Sequence, residues 1–314
     1  MTKDQQFQIL DKICPLEKGY KTSKRQLRLK FFQDIQTEIQ AYLLGFHAAD
    51  GSVDEKRHTL RVCVAKNDRE ITSLFAQTIC PDARHVLLHR QNVKTLDRIT
   101  KNSEMWEVSI TGKQIYESLC SIGFGPRKTY LNLHLPKLSD DLLWSFLRGY
   151  FDGDGCIIGC VRKPNIKNRE RNYRFCCKVG IVAKTRTMLD EIVVFLNKYN
   201  IKSNVNYIKS KDYYSFTIGS RKSLILFYQN LYKNSNFYLK RKYDKFNHFV
   251  NTEVSQLIAE YRNAQKVSAS DSNNPSTSAE HPTGVKMCAE LTGNCENSEI
   301  KSSEDNKIED FQKF

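Results

Sequence analysis

Tyr42-Leu-Leu-Gly-Phe-His-Ala-Ala-Asp-Gly51 and Phe146-Leu-Arg-Gly-Tyr-Phe-Asp-Gly-Asp-Gly155 are two copies of one pattern, with Asp50 and Asp154 standing 104 residues apart. Each copy reads as the end of an apolar helix. Small residues recur four apart, Gly45 and Ala49 in the first copy, Gly149 and Gly153 in the second. That spacing puts them on one stripe of a helix, where two backbones can approach closely. Gly51 and Gly155 are expected to end each helix with a left-handed turn. If the two helices pair in parallel about a pseudo-twofold axis, Asp50 and Asp154 arrive side by side. Two carboxylates there repel each other and face the negative ends of two helix dipoles. A divalent cation relieves both costs, and oxygen ligands suit Mg²⁺. An EF-hand reading of Asp152-Gly-Asp-Gly155 fails because the later loop oxygens and the terminal Glu are missing.

The repeat extends beyond these helices. In the first copy follow an alternating strand over 60–66, a helix over 68–79, strands over 86–89 and 106–110, and a helix over 113–122 before Arg127-Lys128. In the second follow a strand over 173–184, a helix over 187–199, strands over 205–209 and 213–218, and a helix over 223–232 before Arg241-Lys242. The sequence thus predicts an α+β fold of two similar halves, each helix, two strands, helix, two strands, helix, spanning 36–135 and 136–264. Residues 1–35 read as an N-terminal extension. An antiparallel sheet with helices on one face leaves the other face free. In the strand from Tyr173, the side chains of Arg174, Cys176 and Lys178 share that free face, which is therefore basic.

Charge points the same way. The 314 residues carry 49 Lys and Arg against 35 Asp and Glu, a net +14. Residues 265–314 alone hold five Lys and nine acidic residues, are rich in Ser, Asn and Pro, and read as a disordered acidic tail. The rest is net +18, which fits a polyanionic partner such as nucleic acid. With 40% hydrophobic residues, including 17 Phe and 15 Tyr, the chain can build a core. No apolar run is long enough to span a bilayer, and the opening residues lack the pattern of a signal peptide. The ten cysteines include no CxxC pair, so zinc is not expected and they read as reduced strand residues in an intracellular protein.

Leu43–Gly51 and Leu147–Gly155 resemble the two signature motifs of the LAGLIDADG homing endonucleases. The stretch Lys128-Thr-Tyr-Leu-Asn-Leu-His-Leu-Pro136 resembles that family's connection between repeats, and the likeness runs over roughly 38–250. It implies a monomer of two αββαββα halves whose sheets form a saddle over double-stranded DNA. It further implies cleavage of both strands with Mg²⁺, or another divalent cation such as Mn²⁺. Carried over by position, Asp50 and Asp154 are the catalytic acids and metal ligands. Lys128 and Lys242 are the basic residues beside them, with Lys240 as the alternative to Lys242. The basic strand faces are expected to contact DNA, through Arg61, Lys66 and Arg90 with Gln91 and Asn92 in the first half, and through Lys163, Arg169, Arg171, Arg174, Lys178, Asn206 and Lys209 in the second. The first motif has Ala48 where the second has Asp152; that earlier Asp is not a metal ligand in the family, so its loss is expected to be mild. An intron-splicing maturase that binds intron RNA, or a non-cleaving DNA-binding regulator, are the alternatives on the same scaffold. Intact aspartates favour the nuclease, because a pure binder gains nothing from two acids beside phosphate.

Overall fold

The computed structural model describes residues 1–18, 25–90, 93–95, 98–100, 103–162 and 172–271. A capping box between Thr2 and Gln5 starts α1 (Lys3–Ile13), which is followed by the short antiparallel pair β1 (Glu17–Lys18) and β2 (Gln26–Leu27). The expected N-terminal extension is built into the first half. Leu10, Cys14, Leu27, Phe31 and Phe32 all lie in the main core. Arg28 is buried and donates to the carbonyls of Thr78 and Cys14 and to Asp11, which ties this segment to the helix over Arg69–Ile79.

A second capping box, Thr37 with Gln40, starts α2 (Glu38–Asp50). Every residue from Ile39 to Ala48 is buried, as expected of a helix apolar all round. Then follow β3 (Gly51–Asp54), β4 (Thr59–Ala65), α3 (Arg69–Ile79), β5 (His85–Arg90), a hairpin of β6 (Val93–Thr95) and β7 (Arg98–Thr100), β8 (Ser103–Thr111) and α4 (Lys113–Ser121). The second half repeats the order: α5 (Asp140–Asp154), β9 (Cys156–Arg162), β10 (Arg174–Ala183), α6 (Thr187–Asn197), β11 (Asn204–Ile208), β12 (Tyr213–Ile218) and α7 (Arg221–Tyr232). Two helices close the described chain, α8 (Lys240–Asn251) and α9 (Val254–Asp271). The last crosses the expected boundary at 264; residues 272–314 of the acidic segment lie outside the described residues.

Both four-stranded sheets are antiparallel and share one topology, β3-β4-β8-β5 and β9-β10-β12-β11. The mixed fold of two similar halves read from the repeat is therefore the observed one. Leu60, Val62, Val64, Val108 and Ile110 face the first core, and Val179, Ile181, Phe216 and Ile218 face the second. Cys156, Cys160, Cys176 and Cys177 are residues of β9 and β10, as expected. Among the described residues, no helix is long and apolar enough to cross a membrane.

The halves join through α2 and α5. A Cβ built on Gly45 would lie 1.9 Å from the carbonyl oxygen of Phe146, and one on Gly149 would lie 2.0 Å from that of Tyr42. A Cβ on Gly153 would strike that of Ala49 at 2.3 Å. The stripe of small residues thus sets backbone-to-backbone contact. Gly51 and Gly155 correct one expectation. Their backbones are extended (φ −75°, ψ 154° and φ −70°, ψ 146°), not left-handed. Glycine is required by crowding, since the chain runs straight from helix into strand. A Cβ on Gly51 would lie 2.0 Å from the His47 ring, and one on Gly155 would lie 2.2 Å from the Phe151 ring.

Candidate functional site

Pairing α2 with α5 brings Asp50 and Asp154 together at the ends of the two helices. The Asp50 carboxylate lies 3.3 Å from the Cβ position of Gly153, the residue before Asp154. Both acids are accessible to solvent, and neither has a hydrogen-bond or ion-pair partner among the described residues. Surrounding protein raises both carboxyls above the usual range, with desolvation the main cause. Asp154 is pushed up to about 6, and repulsion from Asp50 adds to the burial. Each acid is held down in part by Lys128 and Lys242.

Those two lysines occupy equivalent places. Lys128 follows α4 and is buried, its Nζ donating to the carbonyls of Ala48 and Ala49 at 2.8 and 2.9 Å. Lys242, in the first turn of α8, is equally buried and donates to the carbonyls of Phe151 and Gly153, both at 2.8 Å. Each lysine therefore caps the C-terminus of one central helix and compensates the dipole end that the adjacent aspartate faces. Desolvation lowers both amines, Lys242 to about 8. Lys240 lies off the site: it is exposed and paired with Asp244 at 2.6 Å.

Asp152 is not equivalent to its neighbour. It is fully buried, and one oxygen accepts from the Tyr42 hydroxyl at 2.9 Å and the Leu239 amide at 2.7 Å. It points into the seam between the helices and away from solvent, so it braces the second half against α2. The opposite position holds Ala48, which needs no partner. Loss of Asp152 would cost stability, because its removal would orphan two buried donors.

Two supports were invisible in the motif. Arg241 makes a bidentate pair with Asp68 at 2.7 Å, which bridges α8 to the first half beside Asp50. Arg148, 2% exposed, donates to the carbonyls of Phe237 and Leu231 and pairs with Glu38 at 2.6 Å. The signal was an arginine inside an otherwise apolar helix. Such a residue must find partners.

The side chains expected to meet DNA divide unequally. Arg174, Lys178, Asn206 and Lys209 are all exposed; the first three lie on the free face of the second sheet and Lys209 on the turn after β11. In the first half, Arg61 lies on the free face but approaches Asp54 at 3.4 Å, and Lys66 sits in the turn after β4, paired with Glu104 at 2.5 Å. Arg90 ends β5 and its side chain lies outside the described residues, as do Gln91, Asn92, Lys163, Arg169 and Arg171.

Two accessible oxygen-only carboxylates, unpartnered, both raised by burial and Asp154 raised further by Asp50, fit a hard divalent cation.

Residues 141–232 match the family model of the LAGLIDADG-like domain. The fold is similar to that of the meganuclease I-SmaMI bound to uncleavable DNA, with 12% identity over 74% of this chain and 97% of that chain, and a TM-score of 0.44. It is also similar to the I-LtrWI LAGLIDADG homing endonuclease bound to target DNA (15% identity, 72% and 97% covered, TM-score 0.44). Full-length DUF199/WhiA from Thermatoga maritima is a further likeness (15% identity, 78% and 72% covered, TM-score 0.38). No curated protein sequence matches the chain.

Proposed function

From a chain that carries a LAGLIDADG-like domain over residues 141–232 and repeats its fold in the first half, we propose a site-specific endonuclease that cuts both strands of duplex DNA. The observation that carries this reading is the pair Asp50 and Asp154, unpartnered at two abutting helix ends and flanked by the buried lysines 128 and 242. Asp50 and Asp154 would hold Mg²⁺ or Mn²⁺. Such a cation lowers the pKa of an attacking water and stabilises charge on the departing oxygen. Lys128 and Lys242 keep positive charge within reach of both acids while their helix bonds fix their position, a preorganised setting for phosphate charge. The free faces of the two sheets would lie over the duplex, as β-strands suit the major groove. Because one chain holds both copies, the acting species is a monomer.

Purified protein incubated with a randomised duplex library and Mg²⁺, followed by sequencing of the ends, tests this. Expected is one enriched break site with cuts in both strands, lost with chelator. Binding without cutting would instead support a regulator or maturase on the same scaffold.

A further inference from the structure

The shared strand register equates positions in the two sheets, and the free faces differ there in kind. Glu107 lies across from Cys63 and Val86, and the same place in the second sheet holds Ser215, across from Val182 and Asn206. Asp54 lies across from Thr59 where Ile158 lies across from Lys178. At matching points, the first face gains two carboxylates, an arginine (Arg61 where the second sheet has Gly180) and Val86 in place of an asparagine, and it loses a lysine and the apolar Ile158 and Val182. Its cation, Arg61, approaches Asp54 at 3.4 Å. Val86 is 47% exposed. Glu107 is half-buried, and one of its oxygens accepts from the Ser109 hydroxyl at 3.1 Å.

A carboxylate on a DNA-facing surface repels phosphate, so its place there needs a donor. In the major groove, the donors available to Asp or Glu are exocyclic amino groups, cytosine N4 above all, and the thymine methyl is the apolar feature. Glu107 and Val86 are directly opposite, which sets their Cβ atoms roughly 5 Å apart, near enough for the two side chains to reach adjacent base pairs stacked about 3.4 Å apart. We infer that the first sheet specifies its half-site through bases, Glu107 accepting from a cytosine amino group and Val86 resting on an adjacent thymine methyl. This rests on the reading of the two free faces as the DNA surface.

The test is a binding selection from a randomised duplex library in chelator, with the full-length protein, Glu107→Gln and Val86→Ser. The wild type should enrich a site with cytosine beside thymine in one half. Glutamine pairs with adenine N6 and N7, so Glu107→Gln should move that position from cytosine towards adenine, with about tenfold weaker binding to the wild-type site and an unchanged salt slope. Val86→Ser should relax the thymine alone. The inference is overturned if Glu107→Gln tightens binding to every duplex alike, or leaves an enriched wild-type site unaltered; the nuclease reading survives either result. If the wild type binds no duplex, the nuclease reading falls, and this inference with it.

Discussion

Replacing Asp154 by Asn should stabilise the metal-free protein while removing its chemistry. The folded carboxyl is pushed to about 6 from an ordinary value of 3.8, first by desolvation and then by Asp50. A carboxyl whose folded pKa lies above its unfolded one binds its proton more tightly in the native state. Its favourable contribution is therefore complete below about pH 4 and is lost as pH rises through about 6. Full conversion of the shift gives about 3 kcal/mol, but Asp154 is exposed, and solvent screening reduces that to about 1 kcal/mol. For a chain of this size that is a rise in Tm of about 2–4 °C. Thermal melts in chelator should show this gain at about pH 7.5 and almost none at about pH 3, where the wild-type group is protonated in both the folded and the unfolded state. Adding Mg²⁺ should raise the wild type and leave the variant nearly unmoved. Double-strand cleavage should fall on the order of 10³-fold, the loss of several kcal/mol at a metal-assisted step. A variant less stable at neutral pH, or one whose gain is equal at both pH values, would refute the electrostatic account of the pair.

Gly149→Ala places a Cβ 2.0 Å from a main-chain oxygen that cannot move alone, so the helices must part; a loss of about 3 kcal/mol or more should appear as a collapsed melting transition. Asp152→Ala should lower stability by about 2–4 kcal/mol in denaturant titration, because the Tyr42 hydroxyl and Leu239 amide lose their acceptor, yet cutting per folded molecule should persist. Lys178→Ala should reduce the slope of log K against log salt by about 1, whereas Lys66→Ala should change it little, since Glu104 already neutralises Lys66. A steeper change for Lys66 in filter-binding titrations would contradict that division.

The helix pair was legible because Gly45, Ala49, Gly149 and Gly153 signal close approach through their size alone, and size is a local property of sequence. The aspartates followed, since they sit at a fixed offset from that stripe. The role of Gly51 and Gly155 is not legible in the sequence, because crowding against His47 and Phe151 depends on the path of the following strand, while an Asp-Gly step suggests a turn. The lysine caps were not readable either. Lys128 reaches carbonyls about 80 positions earlier and Lys242 reaches ones about 90 positions earlier, and no periodicity encodes such a span. The acid on the first sheet was readable in principle: Trp106-Glu-Val-Ser-Ile110 alternates cleanly and places Glu107 outward. Lys66 and Arg61 stand out in the sequence by charge, but their partners Glu104 and Asp54 lie on other strands, where no local pattern shows them.

The ion pair between Arg148 and Glu38 has a consequence for which copies can associate. Counting from the aspartates, the position of Arg148 is held by Leu44 in the first copy, and that of Glu38 by Leu142 in the second. Were two second halves to meet through α5, two arginines would be buried with no acid to receive them. Two first halves meeting through α2 would bury two glutamates with no base. An uncompensated buried charge costs about 3–5 kcal/mol, so either like pairing is disfavoured twice over, while the unlike pairing satisfies both groups. The central helices therefore carry a lock and key of opposite sign. Once the copies diverged at these two positions, neither could serve as its own mate, and the faces they present were free to drift apart.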